Sequence, residues 1–388
     1  MTKRYWIGVA LLITIVLTIG IVLESLQEEP IGREQQTVNR VLGNTDTAGY
    51  ARAIQPRNFQ FPYDHGPHPA FKTEWWYLTG NVTDVSGQRF GYQFTIFRTA
   101  MVPKPGTQNN TWLTNQVYMG HLAVSDISRE RFYHFERFSR SNNQLAGARR
   151  IPLKVWLENW QLYTAQADTG GSIPPMHLRA SNQTIGLDLH LQNSKPPVLQ
   201  GDRGLSQKGP QPGNASYYYT LPRLTTRGTF TIHDETFKVE GLSWLDREWS
   251  TSALDTNQVG WDWFALQLDN GIDIMYYQIR QRGNRVDPHS KGSIVFADGD
   301  YELLSREQVR LEVLDHWQSP RGGGYPAEWN LRIPAHQTVL HIEPAMADQE
   351  LDVSLRYWEG AVQIKGTYQE KAITGKGYVE LTGYAEAP

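Results

Sequence analysis

Beyond residue 59, the chain alternates between apolar and polar side chains with a period of two, and this pattern constrains the fold more than any other feature. Leu187, Leu189 and Leu191 alternate with Asp188 and His190. Successive side chains of a strand point to opposite faces, so the alternation is typical of a half-buried antiparallel strand. Segments of this kind recur throughout the body, with Gly, Pro, Asn and Asp between them. We therefore predict an all-β fold built from barrels or sandwiches.

Two strands are also predicted at 228–232 and 237–241, around a turn at 233–236. Two longer segments, 76–98 and 263–280, resemble each other. Each has an aromatic strand, a turn containing Asp and Gly, and a return strand carrying Tyr-Gln. We interpret the likeness as a duplication, which predicts two related β domains at 59–245 and 246–388. The alternative is that any two β-hairpins share these features.

The N-terminus carries an uncharged run of 19 residues, Tyr5–Leu23, preceded by Lys3 and Arg4. As a helix it spans roughly 28 Å, about one hydrocarbon core. The positive flank keeps the N-terminal end in the cytoplasm. We predict a single-pass transmembrane helix at 1–23, a polar linker at 24–58 and a body on the extracytoplasmic, periplasmic side of the cell membrane. A cleaved signal peptide is the alternative, although no small-x-small site follows Leu23.

The amino-acid composition excludes several classes of function. The chain has no cysteine, which excludes a disulfide framework, a thiol nucleophile and thiolate-ligated metals. A net charge of -3 argues against a nucleic-acid partner. The 13 Trp, 19 Tyr and 13 Phe are an excess of aromatic residues, which favour strands and apolar pockets.

Four motifs resemble one known family. They are Phe61–Gly80 (FPYDHGPHPAFKTEWWYLTG), Gly241–Trp249 (GLSWLDREW), Tyr357–Val362 (YWEGAV) and Gly377–Tyr384 (GYVELTGY). Together they are similar to the lipocalin-like family that contains AttH-type secreted proteins and carotenoid 1,2-hydratases. The resemblance covers about 60–384 and implies two lipocalin-like β-barrel domains packed side by side, with an apolar pocket.

The resemblance also implies a chemistry. The family's hydratases add water across a terminal isoprenoid double bond without a redox or metal cofactor. That reaction needs an acid to protonate an alkene carbon, aromatic faces to stabilise the cation, and a positioned water. Trp244-Leu-Asp246 matches the hydratase aromatic-x-Asp motif, which makes Asp246 the expected acid and Trp244 and Trp249 the expected pocket wall.

Strand geometry adds one expectation at this motif. Trp244, Asp246 and Glu248 should share a face, with Arg247 on the opposite face. The alternative is that Asp246, Arg247 and Glu248 form an ion-pair network that ties the two domains together.

Counting back 27 residues from Trp244 reaches Tyr217, with Tyr219 two residues further on. In the hydratases a His and a Trp flank one position there, so this chain departs from the pattern by replacing the imidazole with a phenol. A phenol titrates near ~10 and is a poor base at neutral pH, although it can donate a hydrogen bond. Tyr217 is thus a candidate catalytic group and Tyr219 a candidate ligand-binding one.

Glu74, just before Trp75 and Trp76, is a second candidate for a buried catalytic carboxylate, and Trp76 is a candidate ligand-binding side chain. The alternative for Glu74 is a salt bridge to a strand neighbour such as Arg98 or Arg247.

His65 and His121 are further candidate ligand-binding residues. Asp64-His65-x-x-His68 has no third ligand nearby, so we expect a structural turn and no metal site. For His121, in a strand pattern, the alternative is a hydrogen-bonded structural role.

We expect a membrane-tethered protein that binds an apolar isoprenoid or lipid, with cofactor-independent, hydratase-like acid catalysis. Two alternatives stay open: a non-catalytic carrier of lipid or another hydrophobic ligand, and a membrane-associated assembly protein. A serine hydrolase is disfavoured because the chain has no Gly-x-Ser-x-Gly elbow.

Overall fold

The computed structural model describes residues 47–103, 115–142, 144–165, 173–252, 254–255, 257–283 and 285–385. The predicted anchor at 1–23 and the first part of the predicted linker, 24–46, lie outside these ranges. Within the described part, no helix has the length and apolar character needed to cross a membrane. The described residues are all-β, as the alternation predicted, and their helices are short 3₁₀ turns at Tyr63–His65, Ile127–Arg129, Arg306–Gln308 and Pro334–His336.

The described strands form two antiparallel sheets. The first sheet has thirteen: β1 (Thr73–Asp84), β2 (Arg89–Ala100), β3 (Gln116–Asp126), β4 (Arg131–Arg140), β5 (Ala146–Arg149), β6 (Lys154–Leu157), β7 (Trp160–Thr164), β8 (Met176–Ser181), β9 (Ile185–Asn193), β10 (Val198–Leu199), β11 (Leu205–Gln207), β12 (Ala215–Ile232) and β13 (Glu235–Ser252). Their order is β4-β3-β2-β1-β13-β12-β9-β8-β7-β6-β5, with β10 and β11 paired to β12.

The second sheet has eleven described strands: β14 (Gln258–Leu268), β15 (Asp273–Gln281), β16 (Arg285–Val286), β17 (Lys291–Val295), β18 (Tyr301–Ser305), β19 (Arg310–Gln318), β20 (Gly324–Ile333), β21 (Thr338–Pro344), β22 (Glu350–Leu351), β23 (Tyr357–Tyr368) and β24 (Lys371–Leu381). Their order is β18-β17-β15-β14-β24-β23-β21-β20-β19, with β16 on β15 and β22 on β23.

Both sheets curl around their own apolar core. In the first, Arg137 of β4 reaches across to β8, where its Nη2 donates to the Ser181 carbonyl at 3.0 Å. Its guanidinium lies 4.4 Å from the centre of the Trp160 ring on β7. The two edges of the first sheet therefore nearly meet. In the second sheet, Phe264 of β14 packs edge-on against Trp329 of β20, with ring centres 5.5 Å apart.

The predicted strands at 228–232 and 237–241 are present, but they belong to longer strands and the turn between them is tighter. The turn consists of His233 and Asp234 between β12 and β13, with His233 at a positive φ of 52°. Two-residue turns of this kind match the right-handed twist of a hairpin better than the four-residue turn predicted at 233–236. The leucines of β9 are buried and the intervening Asp188 and His190 are not, as the alternation predicted.

The two similar segments occupy equivalent places. Residues 76–98 fall in the β1–β2 hairpin and 263–280 in the β14–β15 hairpin, and in each sheet the first strand also pairs with the last long strand. The division predicted between 245 and 246 falls inside β13, all of which lies in the first sheet. That division of domains stays a prediction.

A third apolar cluster lies between the sheets. It includes Tyr77, Tyr218 and Trp244 from the first sheet and Trp263 and Tyr378 from the second. Full burial of a large apolar side chain contributes about 1.5–3 kcal/mol, so this cluster holds the sheets together.

Polar contacts at the edges of this apolar cluster fix the position of one sheet relative to the other. Asn81 Nδ2 donates to the Gly377 carbonyl at 2.9 Å, and both Lys195 and Arg223 pair with Asp273 at 2.7 Å.

Candidate functional site

A cavity of about 510 Å³ lies between the two sheets. It exists because β1 is buried on both faces: Trp76 and Leu78 point into the core of the first sheet, whereas Trp75 and Tyr77 point toward the second. The second sheet supplies further aromatic walls, among them Trp261, Trp263, Tyr277 and Tyr357. The volume is within the range of small-molecule sites, and the aromatic walls suit an apolar ligand.

Asp246 on β13 is a buried carboxyl group that lines this cavity, with 3% of its surface exposed. Its Oδ1 accepts hydrogen bonds from Thr220 Oγ1 at 2.7 Å and Trp244 Nε1 at 2.9 Å, and its Oδ2 accepts a short one from the Tyr218 hydroxyl. Burial raises the pKa of Asp246 from 3.8 to about 7, although the three donors act in the opposite direction. At neutral pH a large fraction of Asp246 is thus protonated and uncharged.

Tyr218 links Asp246 to the second sheet. Its hydroxyl accepts from Trp263 Nε1 at 3.3 Å while donating to Asp246. Burial, and then the nearby carboxylate, raises the pKa of Tyr218 well above its usual value. Tyr218 is therefore a hydrogen-bond donor that orients the carboxyl, and it is not an acid at neutral pH.

Glu248, two residues along β13, is an ion-paired carboxylate in the same cavity. Its Oε1 lies 3.1 Å from Lys208 Nζ, and that ammonium sits 4.1 Å from the centre of the Tyr277 ring. Burial lowers the pKa of Lys208, but Glu248 and the tyrosine raise it by more, so Lys208 stays charged.

Two more carboxyl groups approach the cavity from the second sheet. Glu359 on β23 and Glu380 on β24 are directly opposite each other in the sheet register. Burial is the main cause that raises the pKa of Glu380 to about 8; a hydrogen bond with Trp261 opposes it, and the nearby Asp246 and Glu248 act with it. Burial and then Glu380 raise the pKa of Glu359 well above its usual range, against the hydroxyls of Tyr77 and Tyr357. Because like charges this close oppose each other's ionisation, the pair holds at least one proton at neutral pH.

The prediction of which β13 side chains share a face is confirmed. Trp244, Asp246 and Glu248 share the face toward the second sheet, while Arg247 is buried on the other face against the Trp76 ring, 3.9 Å from its centre. The alternative prediction, an ion-pair network among Asp246, Arg247 and Glu248, is not found among the described residues. Glu248 pairs with Lys208, Arg247 pairs with Glu74, and Asp246 has only neutral donors.

Glu74 lies between two arginines and forms salt bridges with both. A salt bridge was the predicted alternative to a catalytic role for this residue. Arg98 Nε and Arg247 Nη2 both make short contacts to its carboxylate, and His68 N donates to it at 3.0 Å. Burial raises the pKa of Glu74, but Arg247 and Arg98 outweigh burial and hold it well below the usual range. Although Glu74 touches one edge of the cavity, it is ionised at neutral pH and has no proton to give.

Five other predicted residues have side chains that point away from the cavity, and they lie in the core of the first sheet. Tyr217 donates to the Gln55 carbonyl at 2.7 Å, and Trp76 Nε1 donates to the His65 carbonyl at 2.8 Å. His65 Nδ1 contacts the Tyr219 hydroxyl, and Trp249 stacks on a histidine with ring centres 3.7 Å apart. The structure therefore does not bring these five residues together with Asp246.

His121 is buried and makes two hydrogen bonds, with Tyr357 at 2.7 Å and with Glu136 at 3.1 Å. It stands behind the cavity wall that Tyr357 forms. As for metals, the described residues contain no group of three or more His, Asp or Glu side chains placed to hold an ion.

Sequence reasoning missed Tyr218, Lys208, Glu359 and Glu380. Tyr218 is the middle residue of a Tyr-Tyr-Tyr run, and only the pairing of Thr220 with Asp246 shows which of the three faces the cavity. Glu359 and Glu380 were within recognised motifs, and an acidic residue inside an apolar strand is the signal that could have found them.

Comparisons with known proteins place these features in a wider group. A model of the AttH-like family matches residues 52–384. The chain is similar to the structure of an AttH protein (NE1406) from Nitrosomonas europaea, with 33% identity, a TM-score of 0.75, and coverage of 86% of this chain and 99% of that one. A search of curated proteins found no match.

Two more distant structures share the fold. Kievitone hydratase from Nectria haematococca matches with 16% identity, a TM-score of 0.64, and coverage of 86% of this chain and 97% of that one. CghA, solved with Sch210972, matches with 12% identity, a TM-score of 0.55, and coverage of 86% and 96%.

Proposed function

The chain belongs to the AttH-like family, and from that premise we propose that its inter-sheet cavity binds an apolar, unsaturated molecule and that Asp246 protonates it. The ligand class is an isoprenoid or a related lipid with a terminal alkene. Each curled sheet is, in this proposal, a lipocalin-like unit, and the ligand lies between the two units.

The observation that carries the proposal is the environment and protonation of Asp246. It is a buried carboxyl in an aromatic cavity, its pKa is raised to about 7, and no basic side chain is paired with it among the described residues. An acid with a pKa near the working pH combines a protonated population with a useful driving force for proton transfer. Lys208 and Glu248 neutralise each other nearby, so the ammonium does not draw the proton away.

The proposed reaction balances with water alone. The alkene π electrons take the proton of Asp246, which forms a C–H bond, breaks the carboxyl O–H bond and leaves a carboxylate and a tertiary carbocation. Aromatic faces such as those of Tyr77 and Trp263 stabilise the cation. Water then forms the C–O bond, and the proton that it releases returns to Asp246. The net change is the addition of one water.

Kievitone hydratase, whose name describes the addition of water, shares this fold. At that identity the support is for the scaffold, and the substrate of this chain is a separate question. The membrane tether through residues 5–23 and the periplasmic location are also proposals, and they rest on the uncharged run alone.

The test is hydration of an acyclic carotenoid, lycopene, by the full chain in detergent micelles in heavy water. We expect product with one added water and one deuterium on carbon. Asp246→Asn should lower turnover by about 10²–10⁴-fold while retaining bound lycopene, because asparagine cannot supply the proton. Asp188→Asn, the same chemical change at a half-exposed position on β9, is the matched control and should retain turnover.

Two results would overturn catalysis by Asp246. Equal turnover by wild type and Asp246→Asn would exclude it as the acid. Stoichiometric binding without product in the wild type would favour the carrier function instead.

A further inference from the structure

The inter-sheet cavity has an apolar mouth. Among its lining residues, Met101 is 59% exposed and Phe138 is 54% exposed, and Val102, next to Met101, is 47% exposed. We call these three residues the apolar rim. Met101 N donates to the Asn115 carbonyl and Val102 N donates to Asn115 Oδ1, both at 2.8 Å, which fixes the position of the segment after β2. Large apolar side chains grouped at a cavity mouth are typical of a surface that meets another apolar phase.

The rim lies at one end of the first sheet, where two arginines are found. Arg140, exposed, pairs in register with Val117 at the start of β3 and lies two residues from Phe138 on the same strand face. Arg150 packs over the Tyr63 ring, 4.5 Å from its centre, in the segment that covers the same end. The turns of the opposite end carry exposed groups of both signs, among them Glu130 and Asp234 beside Arg131 and an Arg129–Glu235 ion pair.

The chain enters the described body beside this rim. The Tyr50 hydroxyl donates to the Ala100 carbonyl at 2.9 Å, and a Cβ on Gly49 would lie 2.9 Å from Pro103. Residues 24–46 join the predicted membrane segment to Thr47. The described chain therefore begins beside the rim, 23 residues after the predicted membrane segment.

We propose that the apolar rim docks onto an anionic lipid bilayer, so that the cavity opens directly to the lipid phase. The inference goes beyond the proposed function and rests on it for the apolar nature of the ligand and for the proposed membrane tether. Apolar side chains buried at the acyl boundary and arginines among anionic headgroups act together in such docking. The tether raises the effective concentration of the surface, so three apolar side chains suffice for a contact that would be weak alone.

The absence of cysteine allows a direct test with single-cysteine variants of the full chain. Met101→Cys, Val102→Cys and Phe138→Cys are labelled with a polarity-sensitive fluorophore and reconstituted into phosphatidylglycerol-containing vesicles. Val85→Cys is the matched control, since Val85 is 94% exposed at the opposite end of the same sheet. We expect blue-shifted emission and several-fold stronger quenching by brominated lipid at the three rim positions than at Val85.

Equal quenching at the rim and at Val85 would overturn the docking, whether both labels are quenched or neither is. A charge-reversed Arg140→Glu variant carrying the Phe138→Cys label should reduce the difference on anionic vesicles and leave it unchanged on phosphatidylcholine. No ligand is present in these measurements, so a failure of hydration by Asp246 and a failure of docking are separate results.

Discussion

Replacement of Asp246 by asparagine should remove a pH dependence of stability that the wild-type chain owes to this carboxyl. Burial raises its pKa from 3.8 to about 7. The folded chain therefore keeps a proton at pH values where the unfolded chain has lost it. Since the folded state binds more protons, the free energy of unfolding falls as the pH rises between these two pKa values, and above the higher one this group has no further effect.

The magnitude follows from the size of the shift. At roughly 1.4 kcal/mol per pKa unit, a rise from 3.8 to about 7 corresponds to a loss of about 4 kcal/mol on full ionisation. Asparagine keeps the shape of the neutral acid, accepts from Thr220 and Trp244, and does not ionise. The stability difference between variant and wild type should thus grow in favour of the variant by about 1.4 kcal/mol per pH unit in this range.

Urea unfolding of the full chain in neutral detergent, followed by tryptophan fluorescence at a series of pH values, measures this difference. Asp188→Asn is again the control, because Asp188 is 43% exposed and paired with Arg179. Its stability difference from wild type should show no such slope. A constant difference between Asp246→Asn and wild type across the range would refute the reasoning, since it would mean that burial does not perturb this carboxyl.

Three further predictions test other contacts. Glu74→Gln leaves two buried guanidinium groups without their carboxylate and should cost about 3–5 kcal/mol of unfolding free energy in urea titrations; a loss below about 1 kcal/mol would contradict the ion-pair assignment. Tyr218→Phe removes a donor to the ionised form of Asp246, so the midpoint of the pH-dependent stability should move upward, whereas Tyr217→Phe on the opposite strand face should not move it. Gly91→Val places a side chain where a Cβ already lies 2.6 Å from an alanine of the second sheet, and it should lower thermal stability by about 1–3 kcal/mol; an unchanged melting temperature would mean that the sheets are not in contact there.

The resemblance to the hydratases singled out Asp246, and the fold class and the two faces of β13 could be predicted from the sequence because both depend on local alternation. Period two placed Asp246, Trp244 and Glu248 on one face of β13 and Arg247 on the other. Trp75 and Trp76 illustrate the limit of this reasoning. Both belong to the recognised motif, but only the position of β1 between two apolar cores explains why adjacent tryptophans both pack against apolar residues and why only Trp75 reaches the cavity.

The rest of the site depends on pairing between distant strands. Tyr217 and Tyr219 were predicted from the resemblance to the hydratases, yet the register of β12 against β13 sets Tyr218 beside Asp246. Glu359 and Glu380 follow Asp246 by more than one hundred residues, and Glu380 lines the cavity only because β24 packs against the first sheet. No local pattern carries such information, since a one-residue change of register would turn every side chain to the other face.

The protonation of Asp246 at neutral pH is the central claim, and infrared spectroscopy measures it directly. The difference between the spectra of the wild type and Asp246→Asn contains the carboxylic C=O band of Asp246 without the bands of Glu359 and Glu380. The intensity of this band is measured against pH in the full chain. We predict a band that disappears with a midpoint near pH 7, the pKa that burial imposes on Asp246. A midpoint near the ordinary value of 3.8 would mean that Asp246 is a carboxylate at neutral pH, and it would contradict the proposed acid catalysis.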